Sequence, residues 1–321
     1  MVLLVRSEYC DMKIMFMGTP DFAAVTLREL CEKGYDVRGV VSQPDKPKGR
    51  GMSVMPTPVK AVAMEYDIPT FQPDSLKHFE LQPFLEEIDP DIIIVVAYGK
   101  ILPEYVLNYP KYGCVNGHAS ILPEYRGAAP IQRVIIDGKK ETGVTAMYME
   151  KGLDTGNIIL VEKIAIDDND TAETLHDKLA VLGAEVLIKT IERFKAGDFS
   201  SIKQDDSKAT YAAMLTKAEG EIVWDKTSDE VYNLIRGMDS WPMAYTYYMG
   251  KRFVPYECEK VEAEGIPGEI VEVNREGFIV ACSKGAIKIK AVKFDGKKRM
   301  SVKDYLVGNK IEKGIVLGKS E

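Results

Sequence analysis

The sequence predicts an α/β chain: a doubly wound, mostly parallel sheet domain, followed by a small β-barrel. Three observations predict it. The chain opens with a βαβ pattern: an apolar run at Lys13–Met17, a Gly18-Thr-Pro turn, a helical pattern over Asp21–Glu32 that Gly34 ends, and a strand at Asp36–Ser42. Such alternation builds a parallel sheet. The run Asp91–Tyr98 is apolar and β-branched at nearly every position, as suits a strand covered on both faces. Beyond residue 207 the texture changes to short strand-like runs separated by Gly and Asn, the pattern of a small barrel.

The elements follow in order between these landmarks. Gln43–Met55 is a connector rich in Pro, Gly, Lys and Arg, with Lys46, Lys48 and Arg50 close together. A structureless connector of that length is commonly functional or disordered. Helical patterns are expected at Pro58–Tyr66 and Ser75–Ile88, and strands at Gly113–His118 and Gly143–Met149. Thr171–Lys195 is a long amphipathic helix, with Leu175, Leu179, Leu182, Val186 and Phe194 at apolar positions. Ala196–Ser207 loses hydrophobicity and gathers Gly, Asp, Ser and Lys. It reads as a linker (198–207) between a domain at 12–197 and one at 208–321. In the second domain a short helix near Ser228–Met238 precedes strands at Ala244–Met249, Arg252–Val261, Gly268–Asn274, Gly277–Cys282 and Ala286–Phe294. Trp241 near the barrel entrance reads as a core anchor. After the first strand only Gly18 stands where the dinucleotide fingerprint requires three glycines, so nothing points to a nicotinamide or flavin. Residues 1–11 precede Met12, where the pattern MKIMFMGTP starts, and read as an upstream start or added extension outside the fold.

At 321 residues the chain has room for two domains. Its 45% hydrophobic and 28% charged residues are ordinary for a soluble globular protein. Five cysteines are scattered, with no C-x-x-C pair; this argues against a disulfide framework or a zinc site and for a reducing, cytoplasmic compartment. No apolar run approaches a membrane span, and Val2–Val5 is too short for a signal-peptide core. The net charge of −7 hides an asymmetry. Residues 1–207 carry 23 basic and 32 acidic side chains, and residues 208–321 carry 19 and 17. Within Lys284–Lys319 there are 11 basic and three acidic residues, Lys297, Lys298 and Arg299 among them. Such a patch fits a polyanion partner, although a solvated lysine-rich surface is the commoner case.

Chemistry concentrates in the stretch NGHASILPEYRGAAP, Asn116–Pro130, and in Asp154. In an extended strand residues i and i+2 share a face, so Asn116 and His118 project together. Lys151-Gly-Leu-Asp154-Thr-Gly156 sets a carboxylate between two glycines, a tight turn that would aim Asp154 at the histidine. An amide donor, an imidazole and a carboxylate suit addition to a carbonyl with proton transfer. Taken singly, a strand histidine is more often structural, and an Asp in such a turn is usually a turn former. His78 and His176 lie in helical patterns and read as structural or exposed. No metal cluster is visible and this chemistry calls for no metal.

The wider string breaks the tie. AYGKILP, NGHASILPEYRGAAPIQ and TGVTAMYMEKGLDTG, with GTPDFA, SQPDKPKGRG and WPMA, resemble the folate-dependent formyltransferases, whose pattern is N-x-H-x-S-L-L-P followed later by D-x-G, and within them the branch acting on methionyl-tRNA. The resemblance runs through nearly the whole chain from Met12. Its departures are Gly117 between Asn and His, Ile121 for a Leu, and Asn157 after the D-T-G; none touches the trio. The resemblance implies a second domain of the oligonucleotide-binding type, and formyl transfer from 10-formyltetrahydrofolate to the α-amino group of methionine carried by initiator tRNA. It implies catalytic roles for Asn116, His118 and Asp154, and folate contact at Ser120, Ile121, Leu122 and Pro123. It also implies that the loop bearing Lys46, Lys48 and Arg50 reaches the tRNA acceptor stem, with Arg50 matching the basic residue used there. Lys297, Lys298 and Arg299 are the expected tRNA contacts of the second domain. The nearest rival is a formyltransferase acting on a small amine, a ribonucleotide amine or an amino sugar nucleotide. An RNA-binding module with a degenerate enzyme domain is set against the intact trio, and a dehydrogenase against the missing glycines.

Overall fold

The computed structural model describes residues 12–48 and 53–318; the extension read at residues 1–11 and the side chain of Arg50 lie outside the described residues. The chain divides into two compact units. The first takes the chain up to Gly127 with Glu141–Ile164 and His176–Ala212; the second takes Ala128–Lys140, Ala165–Leu175 and everything from Ala213.

The chain runs through β1 (Ile14–Gly18), α1 (Asp21–Glu32), β2 (Val37–Val41), β3 (Lys46–Lys48), β4 (Ser53–Met55), α2 (Pro58–Glu65), β5 (Thr70–Phe71), α3 (Gln82–Ile88), β6 (Ile92–Val96), α4 (Glu104–Leu107), β7 (Cys114–His118), β8 (Arg126–Gly127), α5 (Pro130–Ile136), β9 (Glu141–Tyr148), β10 (Ile158–Ala165), α6 (Ala172–Lys195) and β11 (Tyr211–Ala212). The main sheet has the order β10-β9-β7-β6-β1-β2-β5. From β5 to β7 its neighbours are parallel, and β9 joins β7 antiparallel. Every residue of β1 and β6 is buried, because both faces are covered. Met15, Met17, Ile93 and Val95 share a core with Phe84, Leu85 and Ile88 of α3, and the alternate residues Ile14, Phe16, Ile92 and Ile94 point the other way, equally buried. Strand order reverses between β1 and β6, whose last residues Gly18 and Val96 are register partners. Ligands of open α/β sheets bind outside the carboxyl ends at such a reversal, and the end of β7, at His118, is next in line.

Three readings are corrected in this unit. The pattern at Ser75–Ile88 is not one helix: a 3₁₀ turn at Lys77–Phe79 precedes α3, and His78 and Phe79 take left-handed φ values of 58° and 63° that no α-helix carries through. The Gln43–Met55 connector is partly ordered, since β3 and β4 pair as an antiparallel hairpin. Residues 198–207 are not a free linker. Ile202 and Ile158 exchange both backbone hydrogen bonds at 2.8 Å, Gln204 is buried, and the segment stays with the first unit through Ala212. Its polar composition looks solvated, but polar atoms that bond buried carbonyls leave the same compositional trace.

The second unit adds α7 (Ser228–Gly237), β12 (Thr246–Tyr248), β13 (Lys251–Val261), β14 (Ile270–Asn274), β15 (Gly277–Ala281), β16 (Ala286–Phe294), β17 (Met300–Ser301) and α8 (Val302–Gly308). Its antiparallel sheet runs β12-β13-β16-β15-β14 with β17 on β16. The sheet curls as a small open barrel around Phe253, Phe278, Ile287, Ile289, Phe294 and Trp224. Thr227 and Glu230 close a reciprocal capping box at the start of α7. The core tryptophan is Trp224, whose Nε1 donates to Thr246 Oγ1 at 3.1 Å. Trp241, read as an anchor, is 53% exposed in the turn after α7. Among the described residues no helix is long and apolar enough to cross a membrane.

Candidate functional site

The end of β7 carries the candidate site. A Cβ on Gly117 would lie 3.0 Å from Leu187 of α6, so Gly117 faces that helix and its neighbours Asn116 and His118 face away from it. Asn116 is half-buried and opposite Val95 and Met147; its carboxamide makes no hydrogen bond among the described residues. His118 is buried. Its Nε2 lies 2.9 Å from the carbonyl oxygen of Tyr125. A carbonyl only accepts, so Nε2 carries the hydrogen and Nδ1 is the free nitrogen of the neutral ring. Nδ1 faces Asp154 Oδ2 at 3.7 Å, beyond a direct hydrogen bond, and near enough for the carboxylate to attract the ring once it is protonated.

The turn predicted around Asp154 is present. Asp154 is left-handed, with φ 52°, and its Oδ2 accepts from the Gly127 backbone N–H at 2.8 Å. A Cβ at Gly156 would sit 1.7 Å from the Tyr148 carbonyl oxygen, so only glycine allows the turn to close against β9. Gly127, at φ 117°, likewise has no room for a Cβ beside the Ala212 carbonyl at 2.9 Å.

The Ser120–Pro123 turn is held from within. Thr145, fully buried and opposite His118 on β9, donates to Ser120 O at 2.7 Å and accepts from Leu122 N at 3.1 Å. Ser120 Oγ donates to Glu124 O at 2.7 Å. The Ser120 hydroxyl and the buried Leu122 therefore shape the turn, while Ile121 and Pro123 are half-buried. Cys114, on the Asn116 face of β7, is no nucleophile: burial pushes its thiol up to about 12.

The basic candidates lie apart from this cluster in sequence. Lys46 is exposed on β3, and Lys48 ends that strand. The hairpin's base is fixed by Asp45, which accepts from Lys60 Nζ at 2.5 Å, Gln72 Nε2 at 2.7 Å and Thr57 N at 3.2 Å. Burial pushes the Asp45 carboxyl up, but these hydrogen bonds together hold it below the usual carboxylate range. In the second unit Lys297, Lys298 and Arg299 are exposed between β16 and β17. Arg299 is engaged: its Nη2 meets Glu257 at 2.5 Å and its guanidinium lies 4.4 Å from the Tyr256 ring centre. Lys297 and Lys298 form no ion pair among the described residues.

Sequence reasoning missed Thr145, Arg126 and Gln204. Arg126 stood inside a quoted motif without a role. Thr145 likewise stood inside a motif without a role, Gln204 lay outside every motif, and what each holds is distant in sequence.

Sequence and fold match a known class. The family model described as Formyl transferase matches residues 12–191, and Formyl transferase, C-terminal domain matches residues 214–310. The chain belongs to the formyl transferase family and is an enzyme of that class. Among named relatives, a methionyl-tRNA formyltransferase of Alkaliphilus oremlandii is 47% identical over 96% of this chain and 100% of its own length. One from Caldanaerobacter subterraneus is 48% identical over 95% of this chain and 100% of its own length. An N-formyltransferase from Helicobacter canadensis, solved with folinic acid and dTDP-3-aminofucose, is similar in fold, with a TM-score of 0.65 at 20% identity over 87% of this chain and 98% of that one.

Proposed function

We propose that the chain transfers the formyl group of 10-formyltetrahydrofolate to the α-amino group of methionyl initiator tRNA, for initiation of translation in the cytoplasm. The observation that carries this reading is the near-half identity to methionyl-tRNA formyltransferases along the full length, second unit included.

The candidate site supports the following course for the reaction. The amine attacks the formyl carbon, a C–N bond forms, and the carbonyl π pair moves to oxygen. Asn116, whose carboxamide is otherwise unengaged, donates an N–H to that oxygen. Nε2–H of His118 is held by Tyr125, so the lone pair of Nδ1 accepts the proton that the amine releases. The imidazolium so formed lies beside the Asp154 carboxylate, which stabilises its charge. Collapse restores the carbonyl and breaks the bond to the folate nitrogen, and the proton on Nδ1 passes to that nitrogen. Ser120, Ile121, Leu122 and Pro123 form the folate-contacting turn: Ile121 and Pro123 present surface, while Ser120 and Leu122 hold its shape. Lys46, Lys48 and Arg50 steer the acceptor end, and Lys297, Lys298 and Arg299 form the basic surface for tRNA phosphates.

The test is transfer of labelled formyl from 10-formyltetrahydrofolate to methionyl initiator tRNA, with elongator methionyl-tRNA alongside. Fast transfer to the initiator alone is expected. Transfer to an amino sugar nucleotide or a ribonucleotide amine, and to neither tRNA, overturns the reading.

A further inference from the structure

The segment read as a linker supplies a buried carboxamide to the site. Gln204 is 5% exposed, and all its side-chain polar atoms are engaged. Nε2 donates to Asp154 O at 2.8 Å and to Gly156 O at 2.7 Å, gripping the Asp154 turn on both sides. Oε1 accepts from Arg126 Nε at 3.1 Å and Nη2 at 2.8 Å. Arg126 is itself 2% exposed, and its Nη2 also reaches Asp206 at 2.7 Å. The next peptide N–H, that of Gly127, donates to the Asp154 carboxylate.

These contacts close a ring. It runs from the Asp154 carbonyl through Gln204 to the Arg126 guanidinium, along the chain to Gly127, and back to the Asp154 carboxylate. The tripeptide Tyr125-Arg126-Gly127 thus holds both members of the pair. Tyr125 O orients His118, Gly127 N orients the Asp154 side chain, and Arg126 acts through Gln204 on the Asp154 backbone. Asp154 gains from the grip, because a left-handed aspartate persists only where its surroundings over-determine it.

We infer that Gln204, with Arg126, is a positioning residue that sets the Asp154 carboxylate against His118 Nδ1. Its effect on turnover rests on the reaction proposed above; its effect on the imidazole does not. A misplacement of about 1 Å in such a pair lowers a rate by about 10²-fold.

The test uses the full chain carrying Gln204→Glu. A glutamate still accepts from Arg126 but has no N–H for the Asp154 and Gly156 carbonyls. Nitrogen NMR of ¹⁵N-histidine reads the site directly, as the chain has three histidines. The His118 ring nitrogens are expected to shift, with His78 and His176 unmoved. In the transfer assay kcat per folded chain falls by about 10²-fold with KM for both substrates unchanged; the folded fraction is read from the same NMR samples, because loss of folded chain alone would lower apparent kcat in the same way. A folded Gln204→Glu chain with unmoved His118 signals overturns the inference, and so does wild-type kcat beside shifted signals. If wild-type chain transfers no formyl group, the proposed reaction falls, and the nitrogen shifts still decide the clamp. Should Gln204→Glu fail to fold, Arg126→Lys keeps a cation beside Asp206 but makes no forked contact with Oε1. The same shifts and the same fall in kcat are expected of it, and their absence is equally fatal.

Discussion

His118 has its two nitrogens assigned by two different neighbours, a carbonyl that fixes one proton and a carboxylate that faces the other nitrogen. In the proposed reaction that asymmetry gives the imidazole a defined working atom. Asn116 differs in having no hydrogen-bond partner among the described residues, which leaves its carboxamide available for the oxyanion of the proposed reaction. Asn116→Ala is expected to lower kcat by at least ~10²-fold, the effect of removing an oxyanion donor, with folding unchanged by thermal unfolding. Turnover near wild type in that variant removes Asn116 from the mechanism. The shared face of both residues was legible in the sequence because strand alternation is a local property, and the Asp154 turn because two glycines bracket it; their choice as candidates rested on the family resemblance. Thr145 and Gln204 were not legible, because a hydroxyl or carboxamide gets its role from carbonyls many residues away.

At the scale of elements, periodicity served well where burial is one-sided or complete. α1, α6, α7 and β13 fall within a residue or so of their expected limits, since each carries an apolar pattern over many residues. It failed at Ser75–Ile88, where a helical pattern is broken by two left-handed residues. It also failed at 198–207, where polar composition stood for a surface strap tied down by the Ile202–Ile158 pair and the buried Gln204. The strap leads to a prediction about proteolysis. Trypsin acting on native chain is expected to leave the bond after Lys203 uncut, because Ile202 is paired to Ile158 and Gln204 is buried. Early cleavage there with both fragments still folded would restore the reading of a free linker.

At the scale of the whole molecule, charge is divided unevenly along the chain, acidic up to residue 207 and slightly basic beyond it. An overall negative chain that binds a polyanion must do so through local patches, and such binding weakens as salt rises. Replacing Lys297 and Lys298 together by alanine is expected to weaken tRNA binding and flatten the slope of log affinity against log salt by about 2, one phosphate contact each. Arg299, engaged with Glu257 and Tyr256, is expected to add less. A slope unchanged by the double substitution would make the cluster an ordinary solvated surface.

The sequence by itself determined the class of sheet, the sequence of the barrel strands, and the strand and turn positions of the candidates Asn116, His118 and Asp154, whose choice as a trio rested on the family resemblance. Each of these follows from patterns within a few residues, which steric alternation and turn chemistry translate directly into geometry. Only the tertiary structure decided which histidine nitrogen is free, which side chains of the Ser120–Pro123 turn are already engaged, and that residue 204 reaches back to the Asp154 turn. Those outcomes depend on hydrogen bonds between residues 4 to 80 positions apart, and the chain encodes the distant partners only through the fold that brings them together.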